Sequence, residues 1–370
     1  MKQRRAPQPP PRITLKFLAE QLGLSKTTIS IVLNNAPHAQ TIAPLTRQRI
    51  LDAARAYNYR PSFAGRLLHT GRSYLIGVLS PDLSEGYTSS LLAGIENALL
   101  TSEYQFFVAS HHWSERRTDR TAQLFSERGV EGVILINSPF VPHIDLPSIH
   151  IGRHQAEVAG TSLLVDNHAG ILMALRHLVE LGHRRIAFIR GHEGSVDSED
   201  RWLAICAAAR ELSLTIDPTL VTQLERVGVI SLAAMEEGAR CAEMLLPHRG
   251  RFTALLSFND MSAIGAMNRF REAGWRIPDE LSIVGFDDIV EARIAYPALT
   301  TVRQPLRLMG ETAAQEIITQ ITSRAAPTAA PHTAARSTPP PAIKPATPRR
   351  TLVFQPELIL RASTAPPPHP

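Results

Sequence analysis

Residues 14–34 read TLKFLAEQLGLSKTTISIVLN, a stretch in which apolar side chains recur at helical spacing. Thr14 can cap a first helix, Gly23 interrupts it, and Ser25 can cap a second helix that runs to Leu33. Two short helices joined by a tight turn form a helix-turn-helix, whose second helix keeps one face free. The stretch therefore predicts a helix-turn-helix near the start of the chain.

A third helix completes the predicted head, which we place at residues 13–60. Pro44 suits a first helical position, and Asn58 suits a left-handed helix end. The start and the free face of the second helix are where side chains reach base edges. We expect six residues there to contact DNA, namely Lys26, Thr27, Thr28, Ser30, Ile31 and Asn34. Arg47, at the third helix, is expected to contact a phosphate.

The charge of the chain is unevenly distributed. Residues 1–73 carry twelve Lys and Arg against two Asp and Glu, a net charge of +10. The whole chain has a formal charge of +5, so the remaining residues carry −5. A basic head on a mildly acidic body predicts that the head binds a polyanion such as DNA.

Short apolar runs alternate with amphipathic stretches in the remainder of the chain, a pattern that predicts two doubly wound parallel sheets. The runs lie at 75–80, 105–110, 132–137, 162–166, 186–190, 253–258, 281–286 and 351–354. Sheets of this kind bind ligands at the carboxyl ends of their strands, where we look for functional side chains. Residues 325–350 are rich in Pro, Ala and Thr, and they predict a disordered insert without a core.

Several classes of protein are disfavoured by composition. Two cysteines, Cys206 and Cys241, are too few for a disulfide framework or a four-cysteine zinc site. The first residues are basic and proline-rich rather than a secretory signal, and no apolar run reaches the ~18–20 residues of a membrane span. No nucleophile elbow or zinc-protease motif occurs. We therefore expect a cytoplasmic protein that is not an enzyme and that uses no metal and no cofactor.

Motifs along most of the chain resemble the LacI/GalR family of transcriptional regulators. Residues 14–34 are similar to the family's DNA-binding head, and residues 59–72 (YRPSFAGRLLHTGR) are similar to its hinge. The regulatory core is matched by VDN at 165–167, LGHRRIAFI at 181–189, FND at 258–260, VGFDDI at 284–289, LTTVRQP at 299–305 and RAST at 361–364.

The resemblance implies an α/β architecture in which the three-helix head and a hinge helix at 61–72 precede a two-lobed core like that of periplasmic binding proteins. The expected core spans 74–324 and 351–364, with an N-lobe at 74–166 plus 303–324, a C-lobe at 167–300 plus 351–364, and the insert at 325–350.

The resemblance also implies how the hinge acts. Two hinge helices would form together on a pseudo-palindromic operator, with Arg66 contacting DNA and Leu68 wedged between base pairs of the minor groove. Ordinary packing is the alternative role of Leu68. Ile31 stands where the family usually has arginine, so the preferred base should differ, since isoleucine can contact a thymine methyl group.

Four residues match the family's effector site: Tyr87, Arg201, Asn259 and Asp287. An arginine and a carboxylate can hold the hydroxyl groups of a small ligand, and the resemblance favours a sugar or a sugar derivative. The alternative for Asp287 is that it is a turn residue at the end of a strand and does not bind the effector. His111, His112 and Trp113 follow the second apolar run and are further candidates for the same pocket.

The favoured function is a repressor whose operator affinity is controlled by a small molecule. No heptad repeat follows the last strand, so we expect a homodimer. One alternative is a solute-binding protein of the periplasmic type without a DNA role, which shares the two-lobed fold. A sugar-metabolising enzyme is a further alternative, disfavoured because no catalytic motif is found.

Overall fold

The computed structural model describes eight segments of the chain: residues 13–33, 37–59, 71–140, 142–152, 160–193, 195–225, 233–325 and 350–368. The predicted DNA contacts Asn34, Arg66 and Leu68 lie outside these segments, as do residues 326–349 of the predicted insert. The chain divides into two compact units, residues 1–73 and 74–370.

The first unit contains the predicted helix-turn-helix. Its helices are α1 (Leu15–Leu22), α2 (Lys26–Leu33) and α3 (Pro44–Ala56), with a 3₁₀ turn at Pro37–Thr41. The Thr14 side chain accepts a hydrogen bond of 3.2 Å from the Phe17 amide and so caps α1. Gly23 takes a left-handed conformation (φ 64°) that ends α1, and the Thr28 amide donates to Ser25 Oγ at the start of α2.

The three helices share a small core. Leu18, Ile29 and Ile50, one from each helix, are fully buried at its centre. Tyr57 is 40% exposed, and its ring meets that of Phe17 edge to face, with centroids 5.2 Å apart. Tyr57 is the C-cap residue of α3, and a helix end leaves a large ring room at the surface.

The second unit alternates strands and helices. Its first part contains β1 (Leu75–Ser80), α4 (Gly86–Leu99), β2 (Gln105–Ser110), α5 (Glu115–Glu127), β3 (Gly132–Ile136), β4 (Ser148–Ile151) and β5 (Thr161–Val165). The next part contains α6 (Asn167–Glu180), β6 (Ile186–Arg190), α7 (Val196–Glu211), β7 (Val221–Gln223), α8 (Ala233–Leu245), β8 (Ala254–Ser257), α9 (Asp260–Glu272), β9 (Ser282–Asp287), α10 (Val290–Ile294) and β10 (Thr300–Arg303). The last part contains α11 (Leu306–Ala325), β11 (Arg350–Phe354) and β12 (Glu357–Ile359).

The strands form two six-stranded sheets, which define two lobes. The first lobe has the order β11-β5-β4-β3-β1-β2, and the second has β12-β10-β9-β8-β6-β7. Every described pairing is parallel except that of β10 with β12, which is antiparallel. The predicted pair of doubly wound sheets is therefore confirmed, with one antiparallel edge strand.

Residues 351–364 were predicted to lie in the second lobe. This prediction is wrong for β11, the first strand of that segment. β11 pairs in parallel with β5 in the first sheet, and the Asp166 amide donates to the Phe354 carbonyl at 2.9 Å. Only then does the chain cross to the second sheet through β12. The chain thus passes between the lobes three times, which a linear reading of apolar runs does not detect. The predicted insert is also shorter at both ends, because Ala325 ends α11 and Arg350 begins β11.

Glycines let pairs of helices approach closely beside each sheet. A Cβ atom added at Gly94 of α4 would overlap the Arg307 carbonyl of α11, and one at Gly265 of α9 would overlap the Met235 carbonyl of α8. These close pairs set the positions of α4 and α9, so that Tyr87 and Thr88 in the first turn of α4 and Asn259, the N-cap residue of α9, line the space between the lobes. Within the segments described above, no helix has the length and hydropathy needed to cross a membrane.

Candidate effector site and DNA-binding surface

A cavity lies between the two lobes, at the carboxyl ends of seven strands. Its free space, including the mouth, is about 1000 Å³. The four predicted effector residues, Tyr87, Arg201, Asn259 and Asp287, all line it. The other lining residues are Pro81, Asp82, Glu85, Thr88, His112, Trp113, Asn137, His192, Ser195, Asp197, Leu224, Glu225, Ala234, Glu237 and Phe258. The structure therefore brings together the residues that were predicted separately.

Arg201 is held rigidly at one wall of the cavity. The residue is only 4% exposed, and its guanidinium lies between the rings of Phe258 and Phe286, 4.6 and 3.9 Å from their centroids. Its Nη1 donates to the Phe258 carbonyl at 2.5 Å, and its Nε donates to Asn167 Oδ1 at 3.3 Å. Stacking and hydrogen bonding together fix the fork of donors, so little entropy is lost when it binds a ligand.

Asp287 ends β9 and is 6% exposed. Its Oδ1 accepts a 2.6 Å hydrogen bond from Gln304 Nε2. Burial raises the pKa of Asp287 to about 7, against the opposing effect of Arg201. The carboxyl group is therefore poised near neutral pH and can respond to the charge of a ligand.

The neighbouring carboxylate, Asp288, has a different role. It accepts hydrogen bonds from three arginines, with Nε of Arg303 at 2.7 Å, Nη2 of Arg293 at 3.3 Å and a shorter bond from Arg361. The hydrogen bonds from Arg361 and Arg303 hold the pKa of Asp288 below its usual range despite burial. The cluster ties the end of β9 to α10, β10 and the segment after β12, so Asp288 is structural.

Asn259 combines two roles. Its Oδ1 accepts hydrogen bonds from the amide and the hydroxyl group of Ser262, at 2.9 and 2.7 Å, and so caps α9. The cap leaves the amide nitrogen of the Asn259 side chain as the group that can donate to a ligand.

Asp197 and Asn137 line the cavity but were not predicted from the sequence. Asp197 lies one turn before Arg201 on α7, and burial raises its pKa while Arg201 lowers it. Asn137 follows β3 directly, and its side chain lowers the pKa values of Tyr87 and Asp197, which opposes the effect of their burial. Asn137 could have been identified from the sequence, because polar residues directly after strands often bind ligands. Asp197 could not, because its place in the cavity depends on the orientation of α7.

Left-handed backbone conformations are concentrated at this cavity. Four lining residues other than glycine have positive φ angles: His112 (47°), Trp113 (57°), Asn137 (42°) and Asp287 (121°). Such conformations cost of order 1–3 kcal/mol each and occur preferentially at ligand sites. Each of these residues follows or ends a strand, so the strain turns its side chain toward the cavity.

Two aromatic rings meet across the cavity. Trp113 of the first lobe packs edge to face on His192 of the second lobe, with centroids 4.5 Å apart. His111 lies behind them, 5.8 Å from Trp113, and does not line the cavity. Burial lowers the pKa of His111 to about 4, so it is neutral at physiological pH. Of the His-His-Trp stretch, only His112 and Trp113 are therefore available to a ligand.

The first unit presents part of the predicted DNA-binding surface. Lys26 and Thr27 are exposed at the start of α2, and Ser30 and Ile31 are half-buried along it. Thr28 Oγ1 lies 2.8 Å from Ser25 Oγ, so this hydroxyl group takes part in the helix cap. The Arg47 guanidinium has a buried Nε with no hydrogen-bond partner among the described residues.

These two units define a class: a helix-turn-helix protein with a two-lobed domain that binds a ligand in its cleft. A family profile described as "Bacterial regulatory proteins, lacI family" matches residues 14–62. A second profile, described as "Periplasmic binding protein-like domain", matches residues 175–364, more than half of the chain.

Individual proteins agree with the profiles. The HTH-type transcriptional repressor PurR of Haemophilus influenzae is 28% identical over 319 residues, which cover 84% of this chain and 92% of PurR. The lac repressor dimer bound to operator and the anti-inducer ONPF shares the fold with a TM-score of 0.78 at 23% identity, covering 95% of this chain and 99% of the repressor. The complex of the transcriptional regulator CelR with cellobiose has a TM-score of 0.65 at 24% identity, over 95% of this chain and all of CelR.

The chain belongs to the lacI family of bacterial regulatory proteins. It is a DNA-binding transcriptional regulator with an effector-binding domain, and the prediction that it is not an enzyme is confirmed. The lacI match over the head rules out a solute-binding protein without a DNA role.

Proposed function

We propose that this regulator is a cytoplasmic repressor that binds a pseudo-palindromic operator as a homodimer and releases or tightens it when a sugar-like effector binds. The observation that carries the proposal is the cavity between the lobes, which places Arg201, Asn259 and Asp287 around one space. Because both lobes line the cavity, a ligand there favours one lobe orientation over others.

Each site residue has a proposed contact. Arg201 and the Asn259 side-chain nitrogen donate hydrogen bonds to hydroxyl oxygens, and Asp287 accepts a hydrogen bond from a hydroxyl group. Tyr87 and Trp113 offer ring faces and edges to the apolar side of a sugar ring. The CelR structure holds cellobiose in the same fold, which supports a sugar-like ligand here.

The DNA contacts are proposed in two groups. Lys26, Thr27, Thr28, Ser30, Ile31 and Asn34 read bases from α2 and its end. Arg47 holds a phosphate, while Arg66 and the wedge Leu68 act in the hinge at 61–72. The head (13–60), the hinge and the core with its insert at 325–350 are the proposed domains.

A homodimer is supported by exposed apolar side chains on both lobes. Phe107 on the edge strand β2 is 44% exposed, and Ile294 and Tyr296 at the end of α10 are 76% and 79% exposed. The lac repressor with the same fold is a dimer on its operator. Two-fold symmetry would match the symmetry of the operator.

The proposal is tested by selecting genomic DNA fragments that the purified protein retains, and then titrating the best fragment with candidate sugars. We expect a pseudo-palindromic sequence whose affinity changes in the presence of one sugar class. Binding that is independent of both sequence and salt would contradict the proposal, since specific operators are read through bases and phosphates.

A further inference from the structure

The cavity carries an excess of negative charge. Six carboxyl side chains line it: Asp82, Glu85, Asp197, Glu225, Glu237 and Asp287. Glu225 and Glu237 share Arg240, at 3.4 and 2.9 Å, so this arginine offsets one of their two charges within the second lobe. The other four carboxyl groups face one arginine, Arg201, among the described lining residues.

The four remaining carboxyl groups repel one another in a poorly solvated space. Burial raises the pKa of Glu85 to about 7, and repulsion by Asp82 and Asp287 adds to this shift. The repulsion is relieved by protonation in the free protein, and it can also be relieved by a cation. An anionic ligand such as a phosphate ester would increase it.

One acceptor in the cavity has no partner of its own. Asn137 lines the cavity, and its buried Oδ1 has no hydrogen-bond partner among the described residues. A buried amide oxygen without a donor is costly, so a ligand that supplies a donor is favoured. Trp113 and Tyr87 add ring faces, which attract cations.

The donors in the cavity require an oxygen-rich ligand as well. The Arg201 guanidinium and the Asn259 amide have donors but no acceptors to offer, so a plain polyamine would leave them unsatisfied. Hydroxyl oxygens satisfy these donors without adding negative charge.

We propose that the effector carries a protonated amine on a hydroxylated skeleton, as in an amino sugar or an aminocyclitol. This inference rests on the proposed function and specifies its ligand class. The ammonium group lies among Asp82, Glu85 and Asp287, and the hydroxyl groups contact Arg201, Asn259 and Asp197.

The test compares matched sugars on the full-length protein. Isothermal titration is carried out with glucose, galactose and mannose, with their 2-amino-2-deoxy forms, with the N-acetylated amines and with the 6-phosphates. We expect at least one amine to bind at least about tenfold more tightly than its neutral and phosphorylated counterparts. The reason is that a hydrogen bond between charged groups in a poorly solvated site is much stronger than one between neutral groups. Binding of the amine is also expected to release protons from the cavity. The number of protons is measured from the binding enthalpy in buffers that differ in ionisation enthalpy.

A variant locates the ammonium group. Glu85→Gln preserves shape but removes one charge, and it should reduce the preference for the amine over the N-acetylated form by about tenfold. Glu103→Gln, at an exposed position outside the cavity, is the matched control and should keep the wild-type preference.

The outcomes separate this inference from the proposed function. Tighter binding of a neutral or phosphorylated sugar than of its amine would overturn the amine and leave a sugar effector standing. Absence of binding by every member of the panel would overturn both. Binding of the polyamine spermidine as tightly as the best amino sugar would overturn the need for hydroxyl groups.

Discussion

At the scale of single residues, the effector site depends on side chains whose surroundings leave them one orientation. Arg201 is stacked between Phe258 and Phe286 and is bound to the Phe258 carbonyl. Its role as a ligand donor was predicted from its place in the motif pattern alone. The stack that holds it could not be predicted, because Phe258 and Phe286 belong to different strand ends that meet only in the folded lobe.

Arg201→Ala is expected to weaken effector binding by about 10- to 150-fold, because hydrogen bonds from a charged donor contribute roughly 1.5–3 kcal/mol. The panel sugar that binds best to the wild-type protein provides the probe for calorimetry. Arg210→Ala, at an exposed position on the same helix, is the control and should bind normally. Unchanged affinity in Arg201→Ala would place the ligand elsewhere.

The stability of the core is expected to depend on pH through Glu85. Its pKa of about 7 in the folded protein is above the ordinary value of 4.5. An acid with a raised folded pKa stabilises the fold at low pH, and this contribution is lost as the pH rises through the folded pKa. Glu85→Gln should therefore gain stability relative to the wild type between about pH 5 and about pH 8. Urea unfolding at both pH values measures the difference, and a difference that does not vary with pH would refute the shifted pKa.

At the scale of helices and strands, periodicity predicted the elements that are long or strongly apolar. The first three helices and strands such as β1, β3 and β9 lie where apolar spacing predicts them. Four strands, β4, β7, β10 and β12, were not predicted because each has only three or four residues, too few for a period to be recognised. The partner of β11 was not predictable either, since pairing depends on the path of the chain between lobes.

The close pair formed by α4 and α11 is expected to tolerate no side chain at Gly94. Gly94→Ala places a methyl group against the Arg307 backbone, which cannot move as a side-chain tip can, and should cost about 1–3 kcal/mol of unfolding free energy. Glu96→Ala, at an exposed position on the same helix, should change stability by less than about 0.5 kcal/mol. Chemical denaturation measures the free energy of unfolding of both variants. Equal values would disprove the tight contact between Gly94 and the Arg307 backbone.

The recognition helix α2 is expected to separate base reading from phosphate binding. Lys26→Ala should change which operator sequences are preferred, whereas Arg47→Ala should weaken all sequences alike and reduce the salt dependence of binding. Binding to a randomised operator library at two salt concentrations measures both effects. An unaltered sequence preference in Lys26→Ala would remove this residue from the base-reading group.

At the scale of the whole molecule, the ligand-binding core is continuous in space but not in sequence. α11 ends at Ala325 and β11 begins at Arg350, in the same lobe. Deletion of residues 327–348 is expected to leave folding and operator binding nearly unchanged, because the cost of closing a loop varies slowly with its length. A fall of several degrees in melting temperature would show that the segment contributes to the fold.

Control of DNA affinity by the cavity between the lobes is tested by a thermodynamic cycle. Operator affinity is measured with and without the best-binding amino sugar, and sugar affinity is measured with and without operator. Coupling between two sites is typically 5- to 150-fold and must be the same in both directions. We predict equal factors in the wild type and a factor close to one in Arg201→Ala at the same sugar concentration. An operator affinity that is unaffected by every sugar that occupies the cavity would contradict the account.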